Sequence, residues 1–327
     1  MKLVIDLRNK GFNHNELGVF TYEFWEDITS FQPGHEFMVI TPEKMAGWPA
    51  RNTHIIHLKK TGVPWLDAIK FKKKMAAYQP DRLVTIREAG FTISVFINNA
   101  PAVVKEVVFA GSQTGAQAAF PVAEIPVAVR QEIPALTWAA SESIKTRYTA
   151  GRSFFLFTGD ISERHRLIDL LKAFSAFKKW QQSNMQLVIA GSTTAWTNTF
   201  EEKLSAYKYK HDVTVLKNIS NNEIADLTAA AYAMVYPVAG DVFPLALVWA
   251  MQGHKAVIAT DNPVNRRLTN AAAWVEDSNT AEGFAKAMIL LYKDEKQQQL
   301  LVQQTKEPGA QYSRQQMLDM AWQCICG

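Results

Sequence analysis

Two stretches carry residue types that could hold and move an anionic group. The first is Gly240-Asp241-Val242-Phe243-Pro244-Leu245-Ala246-Leu247-Val248-Trp249-Ala250-Met251, which follows the strand-like run 233–237 and reads as a loop feeding a helix. The first amides of a helix have no internal partner and carry the positive end of its dipole, so a loop of this kind suits a phosphate. Asp241 is the carboxylate at that entrance. The second stretch is Gly159-Asp160-Ile161-Ser162-Glu163-Arg164-His165-Arg166, a strand ending in Gly followed by three basic-capable side chains at a helix start. Arginine donates from a planar, permanently charged fork, whereas histidine is charged only part of the time near neutral pH. Basic groups at a helix start oppose the dipole, which favours an anionic ligand there; a solvated helix start is the plain alternative.

Several other chemistries lack their signatures. No Gly-x-Gly-x-x-Gly follows the first strand, where the chain instead has Asn9-Lys10-Gly11-Phe12-Asn13-His14-Asn15-Glu16-Leu17-Gly18. This disfavours a dinucleotide oxidoreductase. A Walker A sequence, a pair of aspartates at i and i+2, a His-x-x-x-His spacing and a Gly-x-Ser-x-Gly elbow are also missing from the sequence. Their absence weakens nucleotide-triphosphatase, metal-bridged diphosphate, metalloprotease and serine hydrolase readings.

These stretches need a scaffold, and the chain is long enough to build one. A length of 327 residues predicts two domains. Apolar residues make up 48% and charged residues 20%, as in a soluble globular protein. The net charge of +4, from 35 basic and 31 acidic residues, gives no field that argues for nucleic acid. The two cysteines, Cys324 and Cys326, stand without a His or Cys cluster, so an incidental role is set against metal or redox chemistry. Charge appears after three apolar residues at the start of the chain, too few for a secretory core. The uncharged stretches 89–104 and 107–123 contain Asn, Ser, Gln, Gly and Pro and fall short of a bilayer-spanning run of roughly 20 apolar residues. A cytoplasmic, non-spanning protein is the expectation.

Strand-like runs at 3–7, 36–41, 54–58, 82–86 and 107–110 alternate with helical or loop material. A second, more regular series runs through 154–159, 186–191, 213–216, 233–237, 256–260 and 273–276. Such alternation predicts parallel sheets in an α/β protein. Leu167, Leu170, Leu171, Phe174, Phe177 and Trp180 recur at three- and four-residue steps and read as one core-facing stripe. Ser220-Asn221-Asn222-Glu223 has the spacing of a capping box. The expected domains are 1–150 and 151–310, with a late helix at 311–327 that could return to the first. Two doubly wound, Rossmann-like domains facing across a cleft would place ligands at the carboxyl ends of the strands.

Two further features point outward. Lys59-Lys60, Trp65-Leu66, Ile69-Lys70 and Lys72-Lys73-Lys74-Met75 combine basic residues with an apolar stripe over 65–75. That segment suits either an anionic membrane surface, giving peripheral contact at the inner face, or an ordinary amphipathic surface helix. Gly18, in Gly18-Val19-Phe20-Thr21-Tyr22-Glu23-Phe24-Trp25, could permit close backbone approach to a ligand.

With these residues in view, the chain resembles the retaining GT-B glycosyltransferases of family four, also called glycosyl transferases group one. Phe154-Phe155-Leu156-Phe157-Thr158-Gly159 through Leu167 is similar to the family's strand and donor-phosphate loop. Ala233-Met234-Val235-Tyr236-Pro237 leads into its Glu-x7-Glu segment, here Asp241 to Trp249 and thus degenerate. Gly253-His254-Lys255-Ala256-Val257-Ile258-Ala259-Thr260-Asp261 is similar to the family's Gly-x-Pro-Val-Ile-Ala-Ser sequel. Ile5-Asp6-Leu7-Arg8 and Gly18 to Glu23 resemble its opening segments, while Thr85-Ile86-Arg87-Glu88-Ala89-Gly90 stands where a His-Asp segment is usual.

The resemblance implies transfer of a sugar from a nucleotide-diphosphate sugar to a glycan or lipid-linked acceptor, with retention at the anomeric carbon. It implies no cofactor and no required metal. The implied catalytic residue is Asp241, beside the donor sugar. Arg164, His165, Arg166, the amides at Leu245 and Ala246, and Gly18 would serve the diphosphate; Ile219 and Trp249 would lie by the nucleoside. Trp249 replaces the family's ribose-binding Glu, Val242 a Gly, and His165 a phosphate-binding Lys. A charged hydrogen bond is worth roughly 1.5–3 kcal/mol, so the missing ribose contact alone would weaken donor binding about ten- to a hundredfold. The contrasting reading is a catalytically degenerate relative serving as a sugar- or nucleotide-binding or partner subunit. An epimerase or phosphorylase on the same fold is a third.

Overall fold

A computed structural model describes residues 1–8, 16–42, 47–59, 61–87, 92–97, 105–109, 122–238, 244–269, 273–274, 280–306 and 313–327. The chain divides into two compact units: Met1–Val127 with Arg314–Gly327, and Ala128–Ser313. The division falls ahead of the 150/151 boundary expected from sequence, because the helix Trp138–Thr149 is held within the second unit. Its Arg147 and Tyr148 bond Glu223 of the helix Asn221–Ala230, at 3.3 and 3.0 Å.

In the first unit the strands are β1 (Lys2–Asp6), β2 (Glu36–Thr41), β3 (Thr53–His57), β4 (Arg82–Arg87), β5 (Thr92–Ile97), β6 (Lys105–Phe109) and β7 (Val122–Ile125). They form one sheet in the order β3-β2-β1-β4-β5-β6-β7. Helices α1 (Glu16–Phe31) and α2 (Pro64–Tyr78) connect the parallel β1, β2, β3 and β4. The sheet is mixed, whereas the alternation had suggested a parallel one: β5 runs antiparallel to both β4 and β6. Connection length decides this. Residues 88–91 and 98–104 are short links that suit antiparallel neighbours, whereas the longer 42–52 and 110–121 join the parallel β2–β3 and β6–β7 pairs. The last helix of the chain, Arg314–Cys326, packs on α1, β6 and β7, and its Arg314 donates to Asp27 of α1 at 2.8 Å.

The second unit is regular. Its strands β8 (Phe154–Thr158), β9 (Gln186–Gly191), β10 (Val213–Lys217), β11 (Ala233–Tyr236), β12 (Ala256–Ala259) and β13 (Ala273–Trp274) are all parallel, in the order β10-β9-β8-β11-β12-β13. Every residue of β8, β9, β11 and β12 is buried, as continuous apolar runs covered on both faces must be. Around them lie α3 (Trp138–Thr149), α4 (Leu167–Gln181), α5 (Thr197–Ser205), α6 (Asn221–Ala230), α7 (Leu245–Gln252), α8 (Pro263–Thr269), α9 (Ala281–Lys293) and α10 (Glu295–Gln304); Arg314–Cys326 is α11.

Leu167, Leu170, Leu171, Phe174 and Phe177 of α4 are buried, but Trp180 is 75% exposed. Each step of three residues falls short of a full turn by about 60°, so two consecutive such steps from Phe174 carry the position off the stripe. Lys178 takes the inward place instead. The capping box forms as its spacing predicts: Ser220 Oγ accepts from the Glu223 amide, and the Glu223 carboxylate accepts from the Ser220 amide at 3.0 Å. No helix among the described residues is long and apolar enough to cross a membrane.

Candidate functional site

The site builds up at the carboxyl ends of β8 to β12. Gly159 follows β8 with φ of +139°, a conformation that favours glycine. Its carbonyl lies against Gly191 at the end of β9, so closely that a Cβ on Gly191 would sit 1.6 Å from that oxygen. The Gly159 amide donates to Ala190 O at 3.1 Å and the Ile161 amide to Ser192 O at 2.8 Å. These bonds fix the loop that follows. Glu163–His165 is a single 3-10 turn, Arg166 adopts the left-handed region at φ +52°, and only then does α4 begin.

That geometry redistributes the charge expected of Arg164, His165 and Arg166. Arg164 is exposed and gives one N–H to Asp160 Oδ2 at 3.0 Å. Arg166 is turned to Asp169, at 2.9 Å. His165 is 1% exposed, with Nδ1 at 2.5 Å from the Asp160 carbonyl, which can only accept. Nδ1 therefore carries the proton, and Nε2, buried and without a partner, has a bare lone pair. Burial first, then the Arg164 charge, pushes the His165 pKa below its ordinary 6.5. A neutral Nε2 has no hydrogen to give a phosphate oxygen. Of the three side chains expected at the diphosphate, Arg164 is the exposed one, Arg166 is engaged by Asp169 and His165 is buried.

Sequence reasoning passed over Asp160. It is buried, with its side chain 6% exposed, at the end of β8 where a diphosphate was expected. A spacing of four residues to Arg164 was the available signal. Two other buried polar atoms at the same end of the sheet have no partner: Oγ1 of Thr158, the last residue of β8, and Oγ1 of Thr260, just after β12. Orphaned hydroxyls of this kind mark a place where water or ligand completes the bonding.

On the neighbouring strands, Asn218 at φ +52° ties the end of β10 to Thr193 through its side chain, 3.0 Å from the Thr193 amide. Ile219 follows it, half-buried, just before the α6 cap. Helix α7 starts after Pro244, whose side chain makes no cap bond, and among the described residues its first amides, at Leu245 and Ala246, meet no side-chain acceptor. All residues from Leu245 to Met251 are buried, and Trp249 is 3% exposed. Asp241 lies outside the described residues. Gly18 belongs to the other unit, buried near the start of α1. Cys324 and Cys326 are free on α11, and burial pushes the Cys326 thiol up to about 11, away from the reactive thiolate.

A doubly wound α/β unit with a glycine-crossed loop and an exposed arginine at the carboxyl ends of its strands defines a Rossmann-like domain. Residues 141–307 match the family Glycosyl transferases group 1, and the chain belongs to that family. Among curated proteins it is similar to the O-antigen chain mannosyltransferase RfbU of Salmonella typhimurium, 32% identical over 99 residues. That match covers 30% of this chain and spans 28% of the relative's length. Among solved structures it resembles WaaG, a glycosyltransferase involved in lipopolysaccharide biosynthesis, with a TM-score of 0.77 and 13% identity over 99% of this chain and 100% of that one. Sucrose-phosphate synthase of Thermosynechococcus elongatus gives 0.74 at 14% identity, covering 99% and 98%. HepE of Anabaena, in complex with UDP and glucose, gives 0.73 at 10% identity, covering 99% and 98%. The fold is accordingly that of two Rossmann-like domains shared with GT-B structures.

Proposed function

We propose that this protein is a retaining glycosyltransferase that moves a sugar from a nucleotide-diphosphate sugar to a glycan or lipid-linked acceptor in cell-surface glycan biosynthesis. The observation that carries the reading is the family match over 141–307, which contains the whole carboxyl-end site of the second unit. RfbU is an O-antigen chain mannosyltransferase, WaaG is involved in lipopolysaccharide biosynthesis, and HepE was solved with UDP and glucose.

In this reading the second unit holds the donor. Arg164 faces the diphosphate with the N–H groups that Asp160 leaves free, and the Leu245 and Ala246 amides add the positive end of α7. Catalysis is positioning and stabilisation of the charge that develops on the departing diphosphate, without a bridging metal. The family resemblance assigns the catalytic part to Asp241, outside the described residues, and the base to the backbone of Ile219. The discriminating experiment incubates the protein with a panel of nucleotide-diphosphate sugars in EDTA and follows nucleoside diphosphate release and the anomeric configuration of the product by NMR. Slow release from one donor with a retained anomer supports the reading; release only on adding a divalent cation overturns its metal independence, and an inverted product overturns retention.

A specific observation favours a second reading, that of a donor-binding or partner subunit without transferase activity. Trp249, nearly fully buried, stands in place of a ribose acceptor, and the Asp160 carboxylate holds part of Arg164 at the diphosphate end. Binding of a nucleotide with no turnover of any donor would select it.

The exposed face of α2 supports peripheral attachment to an anionic membrane at the cytoplasmic side. Trp65 is 63% and Ile69 55% exposed one turn apart, and Lys70, Lys72, Lys73 and Lys74 are exposed around them. Co-sedimentation with phosphatidylglycerol vesicles but not phosphatidylcholine vesicles, lost in Trp65→Ala/Ile69→Ala, is the expected result; equal binding to both lipids contradicts it.

A further inference from the structure

At the other end of the second sheet, away from the donor loops, lies a cavity of about 500 Å³. It sits at the amino ends of the strands: Ser153 precedes β8, Tyr232 precedes β11 and Lys255 precedes β12. Its size is that of a small-ligand site, for which about 300–1,000 Å³ is usual. Three lysines from three different segments line it: Lys145 of α3, Lys255, and Lys306 just beyond α10.

We propose that this cavity binds a small phosphorylated anion, a phosphate monoester or inorganic phosphate, between Lys145, Lys255 and Lys306. The charge balance carries the argument. Among the described residues the only carboxylate paired with this trio is Glu142, on Lys145 at 2.9 Å. Lys255 gives one of its three N–H groups to the Ala229 carbonyl and keeps two for a ligand. Of the other titratable groups on the wall, Tyr232 gives its hydroxyl to Leu291 O and is pushed up to about 12, so it stays neutral. His254 is exposed, on the left-handed side at φ +50°. Glu295 of α10 lies behind the wall, bonded by Gln299 and with its charge reaching Tyr232, so the cavity gathers three lysines against the carboxylates of Glu142 and Glu295.

Like charges brought together repel, and burial adds to this. The Lys255 pKa is pushed down to about 8, mainly by burial and then by the Lys145 charge. A dianion seated between the two ammonium groups reverses the second effect directly. A monoanion such as chloride supplies half the charge and no directed acceptors.

The site is tested on the full chain by pulse acylation of amines, reading the label at Lys255 by peptide mass spectrometry. An amine with a pKa near 8 labels fast at neutral pH. Inorganic phosphate and glucose 6-phosphate are each compared with sodium chloride at matched ionic strength. At a phosphate concentration about ten times its dissociation constant, labelling of Lys255 slows about tenfold and its pH profile moves up, while chloride leaves both unchanged. Protection by inorganic phosphate alone assigns the site to the free ion, and protection by both assigns it to the phosphoryl group of either. Lys306→Gln and Lys145→Gln each reduce the protection. Arg164→Ala leaves it intact, which separates this site from the donor loop. Equal labelling in phosphate and chloride, absence of any label at Lys255 without phosphate, or loss of protection in Arg164→Ala overturns the proposal.

Discussion

Replacing Gly191 by Ala tests how the candidate site is built. The new Cβ would lie 1.6 Å from the Gly159 oxygen and 2.6 Å from its carbonyl carbon, both backbone atoms. Ordinary contact begins at 3.4 Å, so the Gly159 carbonyl must retreat by about 1.8 Å. No side-chain rotation relieves this. A shift of that size disrupts the Gly159 bond to Ala190 and strains the Ile161 bond to Ser192. Each such bond is worth about 1 kcal/mol net, and overpacking adds about 1–3 kcal/mol, for an expected loss of about 2–4 kcal/mol. Scanning calorimetry reads this as a fall in Tm of about 5–12 °C for a unit of this size. The loop carrying Asp160 and Arg164 moves with Gly159, so nucleotide binding falls as well. Gly34→Ala, at a position with nothing within 4 Å of the new methyl, is the control and changes Tm little. A Gly191→Ala protein that melts within 1–2 °C of the parent refutes the close crossing of the β8 and β9 ends.

Other expectations follow from the same contacts. Asp212→Ala leaves the buried Lys178 ammonium, now 3.0 Å from that carboxylate, with only the Ser183 and Met185 carbonyls, and costs about 2–4 kcal/mol in urea unfolding; a loss under 0.5 kcal/mol contradicts it. His165 has its pKa depressed in the folded state, so as pH falls through 6.5 the unfolded chain takes up a proton that the native protein refuses, and stability drops until the folded pKa is reached. Over pH 7 to 5, His165→Gln should lose less stability than the parent, and parallel curves would contradict the assignment. Trp249→Glu restores an acceptor by residue type but buries a carboxylate at a site 3% exposed, so it should destabilise the fold by about 3–5 kcal/mol, and undiminished stability would show that the position opens to solvent.

The sequence carried the second unit well because its signals are local. Continuous apolar runs such as Phe154–Thr158 and Ala256–Ala259 declare buried parallel strands, and the Ser220–Glu223 spacing declares a helix start. The first unit was less legible: Thr92–Ile97 lies in an uncharged stretch without clear punctuation, and its antiparallel pairing depends on loop lengths that only the assigned strands reveal. Trp180 fits a three-residue step yet leaves the stripe, since such steps accumulate rotation. Within the site, the positions of Arg164 and the α7 entrance were readable from glycine, charge and helix signals. The pairing of Arg164 with Asp160 and the burial of His165 were not, because both belong to a single 3-10 turn, closed by a left-handed Arg166, that nothing in the residue types announces.

The central claim is that the carboxyl-end loops of the second unit bind a nucleoside diphosphate through Arg164. Thermal-shift titration of the parent and of Arg164→Ala with a panel of nucleoside diphosphates and their sugars tests it most directly. A ligand at a hundred times its dissociation constant should stabilise the parent by about 2.7 kcal/mol. The account predicts such a shift for one base, abolished in Arg164→Ala. A parent that responds to no nucleotide, or a variant that titrates as the parent does, contradicts it.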